Sequence, residues 1–112
     1  MSRWTNWRLI ADQSHWYDDF LDWDGPACYE LALGVPGRIE PIPMYVGETC
    51  NERQRLARHA SNKSHLAELI ESHLREGWLL FYRARVAPSK ERAKLMQDNL
   101  LRTFEYEWNI RG

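Results

Sequence analysis

Tyr45, Arg55 and His59 bring three different reactive groups into one short stretch of the chain. A phenol and an imidazole can each move a proton. A guanidinium grips two phosphate oxygens at once. Together the three suit phosphate chemistry. Arg55 and His59 are four positions apart, so a helix would project them from one face, one turn above the other. Each alone has a plainer reading: a strand tyrosine, a solvated helix arginine, a capping or surface histidine. Their joint placement on a strand, a turn and a helix gives them weight.

That placement demands particular elements. Pro43 to Val46 is apolar and predicts a strand, with a turn at Gly47. Thr49 or Asn51 can cap a helix running from Asn51 to about Asn62. Upstream, Gly25-Pro26 breaks the chain and Cys28 to Leu33 reads as a first strand, Tyr29, Leu31 and Leu33 sharing one face. The Gly/Pro-rich run 34–41 links the two strands, expected antiparallel. Ser64 can cap a second helix with the buried stripe Leu66, Leu69, Ile70 and Leu74, ended by Gly77. Trp78 to Val86 alternates as a third strand. Pro88 and Ser89 open a last helix whose apolar side is expected at Leu95, Leu100, Leu101 and Phe104, and Trp108-Asn109 closes the domain. Before all this, Trp4, Trp7, Ile10 and Ala11, then Trp16, Phe20 and Trp23, recur at three- and four-residue steps. They predict one or two short amphipathic helices, the second capped by Ser14. The expected fold is α/β (α+β): a three-stranded, mainly antiparallel sheet flanked by helices, in one domain. Residues 1–24 form a tryptophan-rich helical extension that docks on the core, 25–112, or on a second subunit.

The pattern YVG-x-T-x-N-x-x-x-R-L-x-x-H, running from Tyr45 to His59, resembles the GIY-YIG nuclease superfamily. Tyr45-Val46-Gly47 looks like its second signature triplet, and Ala27-Cys28-Tyr29 like a degenerate first triplet that keeps the tyrosine. Ala93 to Leu101 resembles the family's A-x-x-x-E-x-x-L-[IL] helix, with Gln97 at the metal-binding glutamate, and Asn109 falls at the asparagine that braces the site. The resemblance spans roughly residues 25 to 110. It implies a metal-dependent DNA endonuclease using Mg²⁺ or Mn²⁺ and leaving 5′-phosphate and 3′-hydroxyl ends. It implies that Arg55 holds the scissile phosphate, that Tyr29, Tyr45 or His59 takes a proton from the attacking water, and that position 97 holds the ion. Gln97 keeps the shape of glutamate and one oxygen but loses the charge a hard cation needs. The chain is then either an inactivated Gln97 form of a nuclease or a weakened relative. The alternative is a non-catalytic nucleic-acid-binding or protein-interaction module that kept the fold. Asp98 and Glu105 lie near the aligned position but not at it.

Composition narrows the rest. The net charge of -1 argues against indiscriminate coating of nucleic acid, but the charge is segregated. Asp12, Asp18, Asp19, Asp22, Asp24 and Glu30 make the first part acidic; basic residues cluster further on. Arg53, Arg58, Lys63, Arg83 and Arg85 are the candidate DNA contacts, with Glu48 a candidate for lining the cleft beside Arg58. The expected partner is double-stranded DNA. A homodimer would supply two sites for two cuts. No apolar run is long enough to cross a membrane, and Met1 to Asp12 lacks the pattern of a signal peptide, so a cytoplasmic location is expected. Cys28 and Cys50 form no C-x-x-C pair and read as buried thiols, while His15, His65 and His73 read as structural or surface groups.

Overall fold

The computed structural model describes residues 3–15, 25–37, 40–49 and 65–110. Four strands make one sheet: β1 (Arg8–Ala11), β2 (Ala27–Gly34), β3 (Ile42–Thr49) and β4 (Leu79–Val86). Their order is β1-β4-β2-β3, and every neighbouring pair is antiparallel. Among the described residues there are three helices: α1 (His65–Arg75), α2 (Lys90–Thr103) and the single turn α3 (Glu107–Ile110). The architecture is the expected α+β one, with four strands in place of three.

All eight residues of β2 are buried, as a strand must be when both faces of its sheet are covered. On one face Tyr29, Leu31 and Leu33 pack with Leu80, Tyr82 and Ala84 beneath Ile70 and Leu74 of α1. On the other, Cys28 and Val46 pack with Tyr106, Trp4, Met96 and Leu100. The stripe of α1 is the one its spacing predicts. Its end is a Schellman turn: Gly77 N–H donates to Leu74 C=O (3.0 Å) and Trp78 N–H to His73 C=O (3.1 Å), with Gly77 at φ +95°. The Gln13 side-chain amide donates to Arg75 C=O (3.0 Å), capping one more carbonyl of that helix.

The fourth strand comes from the stretch expected to be helical. Apolar residues three or four apart are ambiguous over so short a run, and here an open sheet edge decides. Thr5 N–H donates to Ala84 C=O (2.8 Å), and Ala84 N–H donates to the Thr5 hydroxyl (3.0 Å). Trp4 bridges Arg85. Arg8, Leu9 and Ala11 then pair with β4, and Ile10 and Ala11 are fully buried. The backbone groups of β4 gain partners a helix could not supply. The helix expected after Ser14 lies outside the described residues; Ser14 itself donates its N–H and hydroxyl to the Asp12 carboxylate (2.9 and 3.0 Å).

Two further expectations change. β3 does not turn at Gly47; it runs through it, and Gly47 pairs with Tyr29. The inward side of α2 is Ala93, fully buried, with Met96 and Leu100. Leu95, Leu101 and Phe104 are exposed, Phe104 by 56%. A small residue lets a helix approach a sheet closely, so the face carrying Ala93 turns inward rather than the face richest in large side chains. Pro88 lies outside the helix; Ser89 is the N-cap, accepting from Arg92 N–H (3.2 Å).

Candidate active site

Gly47 lies directly opposite Tyr29, in the middle of the β2–β3 pair. A Cβ on Gly47 would fall 2.6 Å from both Cζ and the hydroxyl oxygen of Tyr29. The tyrosine ring therefore lies across the strand in the space that only glycine leaves. Tyr29 is 1% exposed, and its ring stacks near Tyr82 (centroids 5.9 Å) and tilts against Tyr45 (6.0 Å). Leu31 pairs with Tyr45, two positions along from the Tyr29–Gly47 pair, so Tyr45 shares the face of Tyr29. Tyr45 is half-buried, which leaves it the more accessible of the two phenols.

Asn109 closes the outer edge of β3. Val46 N–H donates to Asn109 Oδ1 (2.9 Å), and Asn109 Nδ2 donates to Val46 C=O (2.9 Å). The carboxamide thus pairs with the central residue of the Tyr45-Val46-Gly47 triplet as another strand would. An edge strand leaves such groups unpaired, and this one is capped. The C-terminal turn wraps the edge to do it: Tyr106 enters the cluster on one face, Trp108 the cluster on the other, and Asn109 bonds between them. His73 lies beside Trp108 (centroids 5.6 Å) with Nδ1 2.8 Å from Leu69 C=O, a structural placement.

Gln97 is half-buried on α2, directly after the sheet-facing Met96. As a metal position it offers one neutral amide oxygen. Asp98 is turned to Lys94 at 3.8 Å, Glu105 is exposed, and both oxygens of Glu30 are taken. Among the described residues no group of three His, Cys, Asp or Glu side chains gathers. A hard divalent cation such as Mg²⁺ needs at least one carboxylate beside its waters and substrate oxygens. The neutral Gln97 amide does not supply it, so this donor set does not fit one.

Arg55, His59, Arg53, Arg58 and Lys63 lie outside the described residues. Arg83 and Arg85 do not, and Arg83 is engaged. Its Nε and Nη2 lie 2.5 Å from Glu30 Oε1, and its guanidinium is held between the rings of Trp4 and Trp7 at 4.6 and 4.4 Å. The Tyr106 hydroxyl donates to the other oxygen, Oε2. Glu30 is 2% exposed, the sole buried charged residue among those described. Its role is missed by the sequence reading, where it counts only as one acidic residue; the available signal is a lone glutamate in the otherwise apolar run Cys28 to Leu33. Burial, and then the Glu30 charge, push the Cys28 thiol up to about 12, with Glu48 adding and Arg85 opposing. Burial, and then its bond to Glu30, raise the Tyr106 phenol as well. Glu48 stands beside Cys28 with Oε2 buried and no hydrogen bond to it among the described residues.

The model of one family, described as GIY-YIG domain-containing protein, matches residues 22–112. No curated protein and no solved structure matches the chain.

Proposed function

The chain belongs to the GIY-YIG domain family, and from that premise we propose that it is a DNA endonuclease domain in which Gln97 has weakened or silenced cutting. Nuclease-type function follows from the family in general. The observation that carries the reading to this chain is the carboxamide of Asn109 bonded twice to Val46, inside the signature triplet, with Tyr29 laid over Gly47. A site that only needed a stable edge strand has no need of a tyrosine pair beside it.

In this reading water attacks the scissile phosphorus in line with the departing 3′-oxygen. Arg55 holds the phosphate and offsets the charge that develops on it. The proton leaves to Tyr45, the more accessible of the two tyrosines, acting as its phenolate. The Tyr29 phenolate and the neutral His59 imidazole are the other acceptors, and the departing 3′-oxygen takes a proton from water. The ends produced are 5′-phosphate and 3′-hydroxyl. Arg53, Arg58, Lys63 and Arg85 track the backbone of double-stranded DNA, while Arg83, paired with Glu30, contributes less than its charge suggests. Relatives of this type use a divalent ion such as Mg²⁺ or Mn²⁺. The donors among the described residues do not fit one. We place the protein in the cytoplasm, acting as a homodimer where both strands are cut; among the described residues no helix is long and apolar enough to cross a membrane.

Gln97 favours a second reading, a non-catalytic nucleic-acid-binding or interaction module on the same fold. A plasmid-nicking assay with Mg²⁺ or Mn²⁺ separates the two. It compares the chain with Gln97→Glu and with Gln97→Glu/Arg55→Ala. Nicking by the Gln97→Glu form alone supports the nuclease reading. No nicking by any form, with DNA binding retained, leaves the binding module.

A further inference from the structure

Glu30, Arg83 and Val46 occupy one rung of the sheet. Glu30 on β2 is the pairing partner of Arg83 on β4 and of Val46 on β3. A carboxylate this deeply buried is tolerated only when its oxygens are paired. Oε1 takes the Arg83 guanidinium and Oε2 takes the Tyr106 hydroxyl. Each of those partners is in turn tied to an end of the chain. Arg83 is clasped between Trp4 and Trp7 of the N-terminal arm, which lies wholly outside residues 22–112. Tyr106 C=O accepts from Asn109 N–H (3.0 Å), and Asn109 grips Val46. The connections form a closed ring, Glu30 to Tyr106 to Asn109 to Val46 and back across the sheet, with the tryptophan arm attached through Arg83.

We propose that Glu30 is a positioning residue for the Asn109 clamp: through Tyr106 it sets Asn109 against Val46, and through Arg83 it makes that setting depend on Trp4 and Trp7. The value of such a device is geometric. The Tyr45-Val46-Gly47 triplet is on an edge strand whose outer side is held at Val46 by one side chain, and small misplacements of a reacting group are costly. The arm is thereby part of the site's support rather than an appendage. The idea rests on the nuclease reading only for its consequence in catalysis; the coupling itself is a property of the fold.

The test is residue-resolved hydrogen exchange by NMR on the full chain and on Tyr106→Phe, Glu30→Gln and Trp7→Ala. Tyr106→Phe removes a single oxygen atom, so it keeps the test alive should Glu30→Gln fail to fold. Val46 N–H exchange is expected to rise on the order of tenfold in Tyr106→Phe and in Trp7→Ala, with Asn109 side-chain amide shifts moving in both, while Ile70 in α1 stays as in the parent. Val46 exchange unchanged in Tyr106→Phe overturns the proposal. So does an equal rise at Val46 and Ile70, which makes Glu30 an ordinary member of the core. None of this needs cleavage, so an inactive Gln97→Glu protein would remove the nuclease reading and leave the coupling standing or fallen on its own. Where Gln97→Glu does cut, adding Tyr106→Phe is expected to lower kcat on the order of tenfold with KM for DNA unchanged; a change in KM alone counts against positioning.

Discussion

Gly47 has no Cβ because Tyr29 occupies its place. The close approach concerns space, not backbone, since Gly47 sits inside β3 and is not among the described residues with positive φ. Gly77 is the opposite case: φ is +95° and nothing lies within 4 Å of the site of its Cβ. The two glycines therefore make different predictions. Gly47→Ala is expected to cost about 1–3 kcal/mol, because the Tyr29 ring must leave its stack with Tyr82 or the strand must bow. Gly77→Ala is expected to cost about 1 kcal/mol from the left-handed backbone alone. Urea unfolding measures both. The local readout is the Tyr29 ring resonances, which move in Gly47→Ala and stay in Gly77→Ala. An unchanged midpoint and unmoved Tyr29 resonances in Gly47→Ala would mean that the phenol does not lie over Gly47.

The N-terminal arm shows what an element can owe to its neighbour rather than to its own sequence. Thr5 holds the edge of β4 with one backbone and one side-chain bond, both to Ala84. Thr5→Val keeps the shape and deletes the acceptor for Ala84 N–H, a loss of about 1–3 kcal/mol for an orphaned donor. The urea midpoint should fall with the slope unchanged; no fall would mean that water replaces the hydroxyl at no cost. The sequence carries little of this. Trp4, Trp7 and Ile10 sit at helical steps, yet the first two are there to clasp Arg83 and the third is a strand residue. Elements with strong internal signals were legible: the alternation of β2 and β4, the stripe of α1, the stop at Gly77, the start of the last helix near Ser89. Elements defined by a partner were not. β1 needs the open edge of β4, Gly47 needs Tyr29, and the inward face of α2 needs the close approach that Ala93 allows. The site divides the same way. Asn109 and the two tyrosines are readable as a pattern, and the geometry brings them to β2 and β3. Glu30 and Tyr106 leave no pattern, because a buried ion pair is recognised by its environment and one sequence shows none. Arg55 and His59 remain expectations of the sequence, outside the described residues.

At the scale of the whole molecule, the sheet's second face gathers the groups that resist ionisation. Cys28 is buried there beside the Glu30 carboxylate, and Tyr106 donates to that same carboxylate. Ionising either group in the folded state would put a second negative charge next to Glu30. Both are raised above their ordinary values, Cys28 from 9.0 to about 12. A group whose folded value is raised holds its full stabilisation below the unfolded value and gives it up as pH climbs towards the folded one. Stability from Cys28 is therefore expected to be flat up to about pH 9 and to decline between there and about pH 12. At pH 10 the loss from this one thiol is roughly 1.4 kcal/mol. Lysines and other tyrosines also titrate in that range, so the informative quantity is a difference. Between pH 8 and pH 10 the parent should lose about 1.4 kcal/mol more than Cys28→Ala, both measured by urea unfolding. Cys28→Ala sets its own baseline at pH 8, so any packing cost of the substitution cancels. Equal losses in the two proteins would mean that the thiol ionises as easily folded as unfolded, and that the face carrying Glu30 is open to water. That outcome would also remove the basis for treating Glu30 as a carboxylate held by Arg83 and Tyr106 alone. The alkaline limb of the stability curve is thus a bulk measurement of how dry the rung between Arg83 and Val46 is.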